Sequence, residues 1–358
     1  MQVPADWVAT VDTILSAQRR RHLVVVVGVP DVGKSTFCAY LVNRFQQTRL
    51  RTAVVDADIG QSSIGPPTVI GLGFVNQDVT HLSEVPMAAG YFVGSISPSG
   101  HLLPCVVGTR RMVERAFAMQ AEAVVVDTSG LAVGGAGREL KVRKLELLTP
   151  SDVVLLERDG ELAYLRRAWQ SITGPRFHVI RPAPQARQRP REERQAFRSR
   201  RFAAYFAEMR ELRIKLDQVA LRGLWLGSGR PLDAEAIVAL GHQLGVVVYH
   251  AEQIDDHLFV LTNNRPLYDA VTAVEQALQL ALHVNAIGQF TNLLLGLHNQ
   301  RGHFIGLGIW RRLDFDRGWL RLLVPPLHGE RVHLIVAGSL RVRSDGTELG
   351  SFRSGSIR

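Results

Sequence analysis

Three clusters of polar side chains in this sequence have the types and spacing needed for chemistry on phosphate groups. The first, "GVPDVGKST" (28–36), fits the pattern Gly-x-x-x-x-Gly-Lys-Ser/Thr. Gly28 and Gly33 let the backbone wrap, through Asp31 and Val32, close to a chain of phosphates. Lys34 can neutralise their β and γ oxygens, and Ser35, followed by Thr36, can hold Mg²⁺ where a helix begins. The second cluster, "VVDADIGQSSIGPP" (54–67), carries Asp56, Asp58 and Gln61. Phosphoryl transfer asks a protein mainly for positioning and charge neutralisation, so one carboxylate can steady the hydrated metal while the other takes the proton of an attacking hydroxyl. Both aspartates are candidate metal ligands, and Asp58, nearer the loop, is the candidate base. The plainer alternative is that they cap the strand and helix around them. Gln61 could equally orient a water for hydrolysis, the difference between a kinase and a switch ATPase. The third cluster, "AVVVDTSG" (123–130), ends an apolar strand in Asp127, which competes for the metal-supporting role with Thr128 and Ser129 beside it.

The elements that must position these residues are legible from periodicity. "LVVVVGV" (23–29) is a β-branched run of strand length, and "KSTFCAYLVNRFQQ" (34–47) repeats apolar residues at helical spacing. The loop therefore joins a strand to a helix, as its mechanism requires. Further apolar runs at 52–58, 121–130, 151–158 and 176–182 read as strands of a parallel, doubly wound α/β sheet with helices on both faces. In such sheets ligands bind at the ends of adjacent strands, where the aspartates lie. The expected division is an N-terminal amphipathic helix over 1–20, a phosphate-loop domain over 21–180, an arginine-rich arm without strand pattern over 181–215, and a β-rich C-terminal domain over 216–358. That last part shows short strands with Gly, Asp and Pro turns, interrupted by a helix over 267–282.

Composition narrows the class. The formal charge is +9, and lysine occurs only at Lys34, Lys141, Lys144 and Lys215, so arginine supplies almost all of it. Between Arg181 and Arg201 eight arginines stand against two glutamates, interleaved with Pro182, Pro184 and Pro190, which makes this arm the candidate contact for a polyanion. No stretch reaches the apolar length of a membrane span, and the N-terminus lacks a signal-peptide centre, so a cytoplasmic protein is expected. Cys38 and Cys105 have no metal-ligand spacing and suggest a reducing compartment. The 12 histidines show no His-Glu-x-x-His spacing, so no zinc site is inferred. There is no Asn-Lys-x-Asp after the loop, no Leu-Ser-Gly-Gly-Gln, and no extra early lysine in the loop, which argues against regulatory GTPases, transporter ATPases and partitioning-type ATPases.

These blocks together resemble the P-loop polynucleotide 5′-hydroxyl kinases, the family of the kinase subunit of pre-mRNA cleavage complexes and of ribosomal-RNA-processing kinases. "GVPDVGKST", the Asp-x-Asp-x-Gly-Gln segment of "VVDADIGQSSIGPP", and "VVVDTSGL" match its three central motifs, the second being the most specific. "YFVGSISPSG" (91–100) is similar to the segment before its substrate clasp, and "REERQAFRSRRFAAYF" (191–206) to its arginine-bearing lid. "GLGIW", "LLVPP" and "VAGSLRV" resemble its terminal β-domain, so the likeness covers most of the chain from about residue 20 onward. Only about twenty residues precede the first strand, so roles tied to the separate N-terminal domain of eukaryotic members do not carry over.

The resemblance implies that Lys34 and Ser35 act on ATP with Mg²⁺, that Asp58 is the base for the 5′-hydroxyl, and that Gln61 places metal or water. It also implies that Arg194 and Arg198, one helical turn apart, neutralise the migrating phosphoryl group, with Arg201 in reserve. The acceptor would be a single-stranded or exposed 5′-hydroxyl end of RNA or DNA, its terminal base stacked on Tyr91, Phe92 or Trp169, with a monomer favoured. The rival reading is a scaffold or switch that binds ATP or GTP and a partner without phosphorylating it. Intact Asp58, Gln61 and lid arginines favour the kinase.

Overall fold

The computed structural model describes residues 3–183, 186–315 and 317–352. Pro184 of the basic arm and the first two residues of the expected N-terminal helix lie outside them. The chain divides into two compact units, Met1–Arg201 and Phe202–Arg358.

The first unit is built on β1 (His22–Gly28), β2 (Thr52–Ala57), β3 (Val69–Phe74), β4 (Met87–Phe92), β5 (Ala123–Thr128), β6 (Asp152–Leu156) and β7 (Arg176–Ile180). They make one sheet in the order β4-β3-β2-β5-β1-β6-β7. Helices α1 (Ala5–Ser16) and α2 (Lys34–Gln47) cover one face, and α3 (Leu102–Ala118), α4 (Gly134–Leu148) and α5 (Ala163–Ala168) the other. The valine run of β1 is buried throughout because it serves both cores. Val24 and Val26 join Trp7, Phe37 and Phe45 on one face, while Val25 and Val27 join Met112, Leu140 and Leu162 on the other.

The sheet is mixed rather than wholly parallel. β2, β5, β1, β6 and β7 run parallel, whereas β3 and β4 extend the sheet antiparallel. β3 reads "VIGLGF", whose glycines hide its strand character, yet a Cβ on Gly71 would meet the Ile64 carbonyl oxygen at 2.0 Å. The close approach of the 62–64 loop excludes any larger residue there.

α6 (Arg191–Tyr205) begins in the first unit and ends in the second. The expectation of no strand up to 215 is corrected by β8 (Arg210–Lys215), which pairs with β16 (Trp319–Val324). Its "RELRIK" carries four charged residues on an exposed edge, and only Ile214 is buried, so charge masked its alternation. Around it lie β9 (Ala220–Arg222), β14 (Leu293–His298), β15 (Phe304–Asp314), β17 (Leu334–Val342) and β18 (Glu348–Ser351), forming with β8 and β16 one seven-stranded sheet. A second sheet of β10 (Arg230–Pro231), β11 (Val248–Ile254), β12 (His257–Thr262) and β13 (Ala281–Ala286) is covered by α7 (Ala234–Leu244) and α8 (Tyr268–Leu278). α8 falls in the segment read as helical, and α7, capped by the Asp233 side chain on Ala236 N–H, adds a second helix to a domain expected to be mainly strands. Among the described residues no helix is long and apolar enough to cross a membrane.

Candidate active site

Strand order places the three clusters at the same edge of the sheet. β5 lies between β1 and β2, with Asp127 in register with Val26 on one side and Asp56 on the other. The loop following β1 therefore emerges beside both aspartates. It closes through Gly33, whose φ of +91° suits glycine, and α2 begins at the next residue.

A cavity of about 480 Å³ lies over this edge. Its walls include Asp31, Gly33, Lys34, Ser35 and Thr36 from the loop, Asp58 and Gln61 from the second cluster, and Arg194 and Arg198 from α6. The structure thus brings these residues of the first two clusters and the arm to one cavity. Lys34 is buried and its Nζ donates to the Val29 carbonyl at 2.9 Å. Ser35 Oγ donates to Asp127 Oδ2 at 2.5 Å. Asp127 Oδ1 is buried and has no hydrogen-bond partner among the described residues, an orphaned acceptor directly beside the phosphate loop. Burial pushes the Asp127 carboxyl up, against the pull of Lys34 and the Ser35 hydroxyl. Asp58 accepts the N–H groups of Gly60 at 3.1 Å and Gln61 at 3.0 Å, both on Oδ1.

Asp56, read as a metal ligand, has a different occupation. It is buried and does not line the cavity. Its Oδ1 accepts Asp58 N–H at 3.0 Å, and its Oδ2 accepts Ser63 N–H at 2.5 Å and Ile64 N–H at 3.0 Å. It shapes the loop that presents Asp58. Burial, then the neighbouring Asp127, hold its carboxyl above the ordinary range. Gly28 and Val32 are likewise packed behind the loop rather than on the cavity wall.

The basic arm closes over the loop through named contacts. Arg194 Nη2 donates to Asp31 Oδ2 at 2.6 Å, and Arg189 N–H to the same oxygen at 3.0 Å. Arg189 Nη1 reaches Gln61 Oε1 at 3.4 Å. Arg201, the reserve residue, does not line the cavity; its Nη2 donates to the carbonyls of Ser63 at 3.0 Å and Gly65 at 2.5 Å and ties α6 to the second cluster.

The aromatic platforms are corrected. Tyr91 packs against α3 at Gly108, Phe92 is buried, and Trp169 packs on Phe177 with ring centroids 6.2 Å apart; none lines the cavity. Phe197 does, three residues after Arg194 on α6. Its signal was the helical spacing of Arg194, Phe197, Arg198 and Arg201, which puts all four on one face.

Lys141 and Lys144 carry no predicted role in the sequence beyond their charge. Lys34, Lys141 and Lys144 are all buried in this unit. Lys141 Nζ donates to Thr128 Oγ1 at 2.8 Å and to the Ser129 carbonyl at 2.6 Å, fixing the loop after Asp127 from beneath. Burial pushes Lys141 well below its ordinary range, with Lys144 and Lys34 adding to the shift. The signal was scarcity: in a chain that otherwise uses arginine, three of the four lysines sit under one site.

The profile of the family described as "mRNA cleavage and polyadenylation factor CLP1 P-loop" matches residues 28–208, the span that contains all of these residues. This chain belongs to the CLP1 P-loop family. Proteins named polyribonucleotide 5′-hydroxyl-kinase are similar to it over nearly its whole length. That of Pyrococcus abyssi is 31% identical, covering 97% of this chain and 95% of the relative. That of Thermococcus kodakarensis is 32% identical, covering 98% and 96%. The human Clp1 kinase is 28% identical over 42% of this chain and 37% of its own. A solved Clp1p–Pcf11p complex shares the fold, with a TM-score of 0.61 at 12% identity over 93% of this chain and 77% of that one. Membership of a P-loop kinase family implies use of a nucleotide.

Proposed function

We propose that this protein transfers the γ-phosphate of ATP to the 5′-hydroxyl of a polyribonucleotide. The observation that carries the reading is the convergence of Lys34, Ser35, Asp58, Arg194 and Arg198 on one cavity. The names of the near-full-length relatives support the same activity.

In this reading Lys34 and the amides of the loop hold the β and γ phosphates. Asp58 accepts the proton of the 5′-hydroxyl as its oxygen attacks phosphorus, while Arg194 and Arg198 offset charge on the equatorial oxygens. Gln61, beside Arg189, orders the acceptor side. The residues present fit a magnesium ion, since Asp127 leaves a buried acceptor without a partner next to Ser35 Oγ. Ser35 and Asp127, with Asp58 nearby, would hold it through its waters, and it would neutralise phosphate oxygens. Phe197 offers a stacking face for the terminal base. The acceptor is the 5′-hydroxyl end of RNA, with DNA ends of the same form as a second candidate class. The protein acts as a monomer in a reducing, cytoplasmic setting, in keeping with the free, buried Cys38 and Cys105.

The test incubates the protein with γ-labelled ATP and 5′-hydroxyl oligomers of RNA and DNA. Label at the 5′ end of RNA is expected. Bound nucleotide with no label on any oligomer would favour the scaffold or switch instead.

A further inference from the structure

A carboxylate in a phosphate-binding loop is electrostatically misplaced, because it faces the polyanion that the loop exists to hold. Asp31 is such a residue, and its environment explains it. Its backbone is left-handed at φ +60°, and its side chain is 6% exposed. One of its oxygens, Oδ2, takes both the Arg189 N–H just before α6 and the Arg194 guanidinium on the first turn of α6. The contact at 2.6 Å is a charge-assisted bond, and it leaves Asp31 and Arg194 together without net charge. A guanidinium has five donors, and Arg194 Nε is buried with no hydrogen-bond partner among the described residues. Arg194 lines the cavity, and the bond to Asp31 holds its guanidinium in place before any phosphate arrives.

From this geometry we infer that Asp31 is a positioning residue: it clasps the start of α6 to the phosphate loop and presents Arg194 to the transferring phosphoryl group. The inference rests on the proposed phosphoryl transfer for its catalytic consequence and on the two hydrogen bonds for the clasp itself. Catalysis gains when a donor is oriented before reaction, since no reorganisation is then needed at the transition state. A residue serving that purpose should affect kcat more than nucleotide affinity.

The test is a double-mutant cycle of Asp31→Ala and Arg194→Ala in the full chain, with ATP and a 5′-hydroxyl RNA. Asp31→Ala is expected to lower kcat about tenfold or more while changing the KM for ATP by less than about threefold. The double variant should be no slower than Arg194→Ala alone, and Asp31→Glu should recover part of the rate. A loss that multiplies in the Arg194→Ala background, or a raised KM with unchanged kcat, would overturn the inference. Tryptic cleavage of the 187–201 segment in nucleotide-free protein reads the clasp without any transfer. Asp31→Ala should speed that cleavage, and an unchanged rate would remove the clasp. If the wild type transfers nothing yet the cleavage rates differ, the kinase reading fails while the clasp stands.

Discussion

The floor and the roof of the cavity both carry cationic side chains, and they are built in opposite ways. The floor rests on strand ends and helix starts in the core. Lys34, Lys141 and Lys144 are buried there among Asp56, Asp58 and Asp127, and Lys144 Nζ has no hydrogen-bond partner among the described residues. The roof is arginine just before and along α6, held by an aspartate, a glutamine and two carbonyls. Burying an ammonium is costly, so the floor is tolerable only as part of a packed cluster in which opposite charges offset one another. The roof stays partly solvated, and a few directional bonds set its position. The contrast explains the residue types. A compact amine fits beneath a strand end, whereas a planar fork of donors suits a surface that must grip phosphates. It also places rigidity below and adjustability above the reacting group.

Substitutions in the floor should therefore be the more damaging. Lys34→Ala is expected to reduce transfer about a thousandfold or more, because Lys34 supplies the loop's cationic side chain on the cavity wall. Steady-state transfer to RNA measures this, and a loss below about tenfold would move the burden to the roof.

Asp56→Asn breaks the floor structurally. An amide nitrogen cannot accept an N–H, so at least one of three backbone donors loses its partner, at a cost of about 1–3 kcal/mol. The sign of its pH dependence follows from the raised carboxyl. Burial, then Asp127, hold the folded-state value up at about 7, so the wild type binds this proton more tightly folded than unfolded and loses stability as pH rises towards it. The neutral asparagine does not, so its deficit should shrink between about pH 5 and about pH 8 in melts without nucleotide or metal. A deficit that grows over this window would contradict the assignment.

Lys141→Met sharpens the comparison. Two hydrogen bonds are lost at about 1 kcal/mol each, while a buried amine is removed, so stability should change by less than about 2 kcal/mol. Transfer should still fall about tenfold, since Lys141 fixes the segment beside Asp127. An inactive but folded variant would mean that the amine itself touches the reaction. The smallest effect is expected in the roof. Arg201→Ala should cost about 1 kcal/mol and a few-fold in rate, with faster tryptic cleavage of α6.

Much of the floor was legible because its motifs are contiguous. "GVPDVGKST" and "DADIGQ" each carry several functional positions within a few residues, and the strands that end in them are continuous apolar runs. What escaped was set by contacts distant in sequence. That Asp56 turns inward depends on the N–H groups of residues 63 and 64, and that Asp31 faces α6 depends on residues more than 150 positions later. Tyr91, Phe92 and Trp169 carry the right chemistry for stacking, but packing committed them to the core, and Phe197 was visible only as a member of a helical stripe. The antiparallel β3 and the charged edge strand β8 escaped because glycine in one and charge in the other hid the usual patterns.

The central claim is that the phosphate gripped by the loop leaves for a hydroxyl deprotonated by Asp58. The most direct measurement is single-turnover transfer from γ-labelled ATP to a 5′-hydroxyl RNA by the wild type and by Asp58→Asn, with nucleotide binding measured on both. Unchanged ATP binding is expected, with a loss of transfer of about two orders of magnitude or more. Near-normal transfer by Asp58→Asn would contradict it and pass the role of base to another carboxylate, with Asp127 next in line.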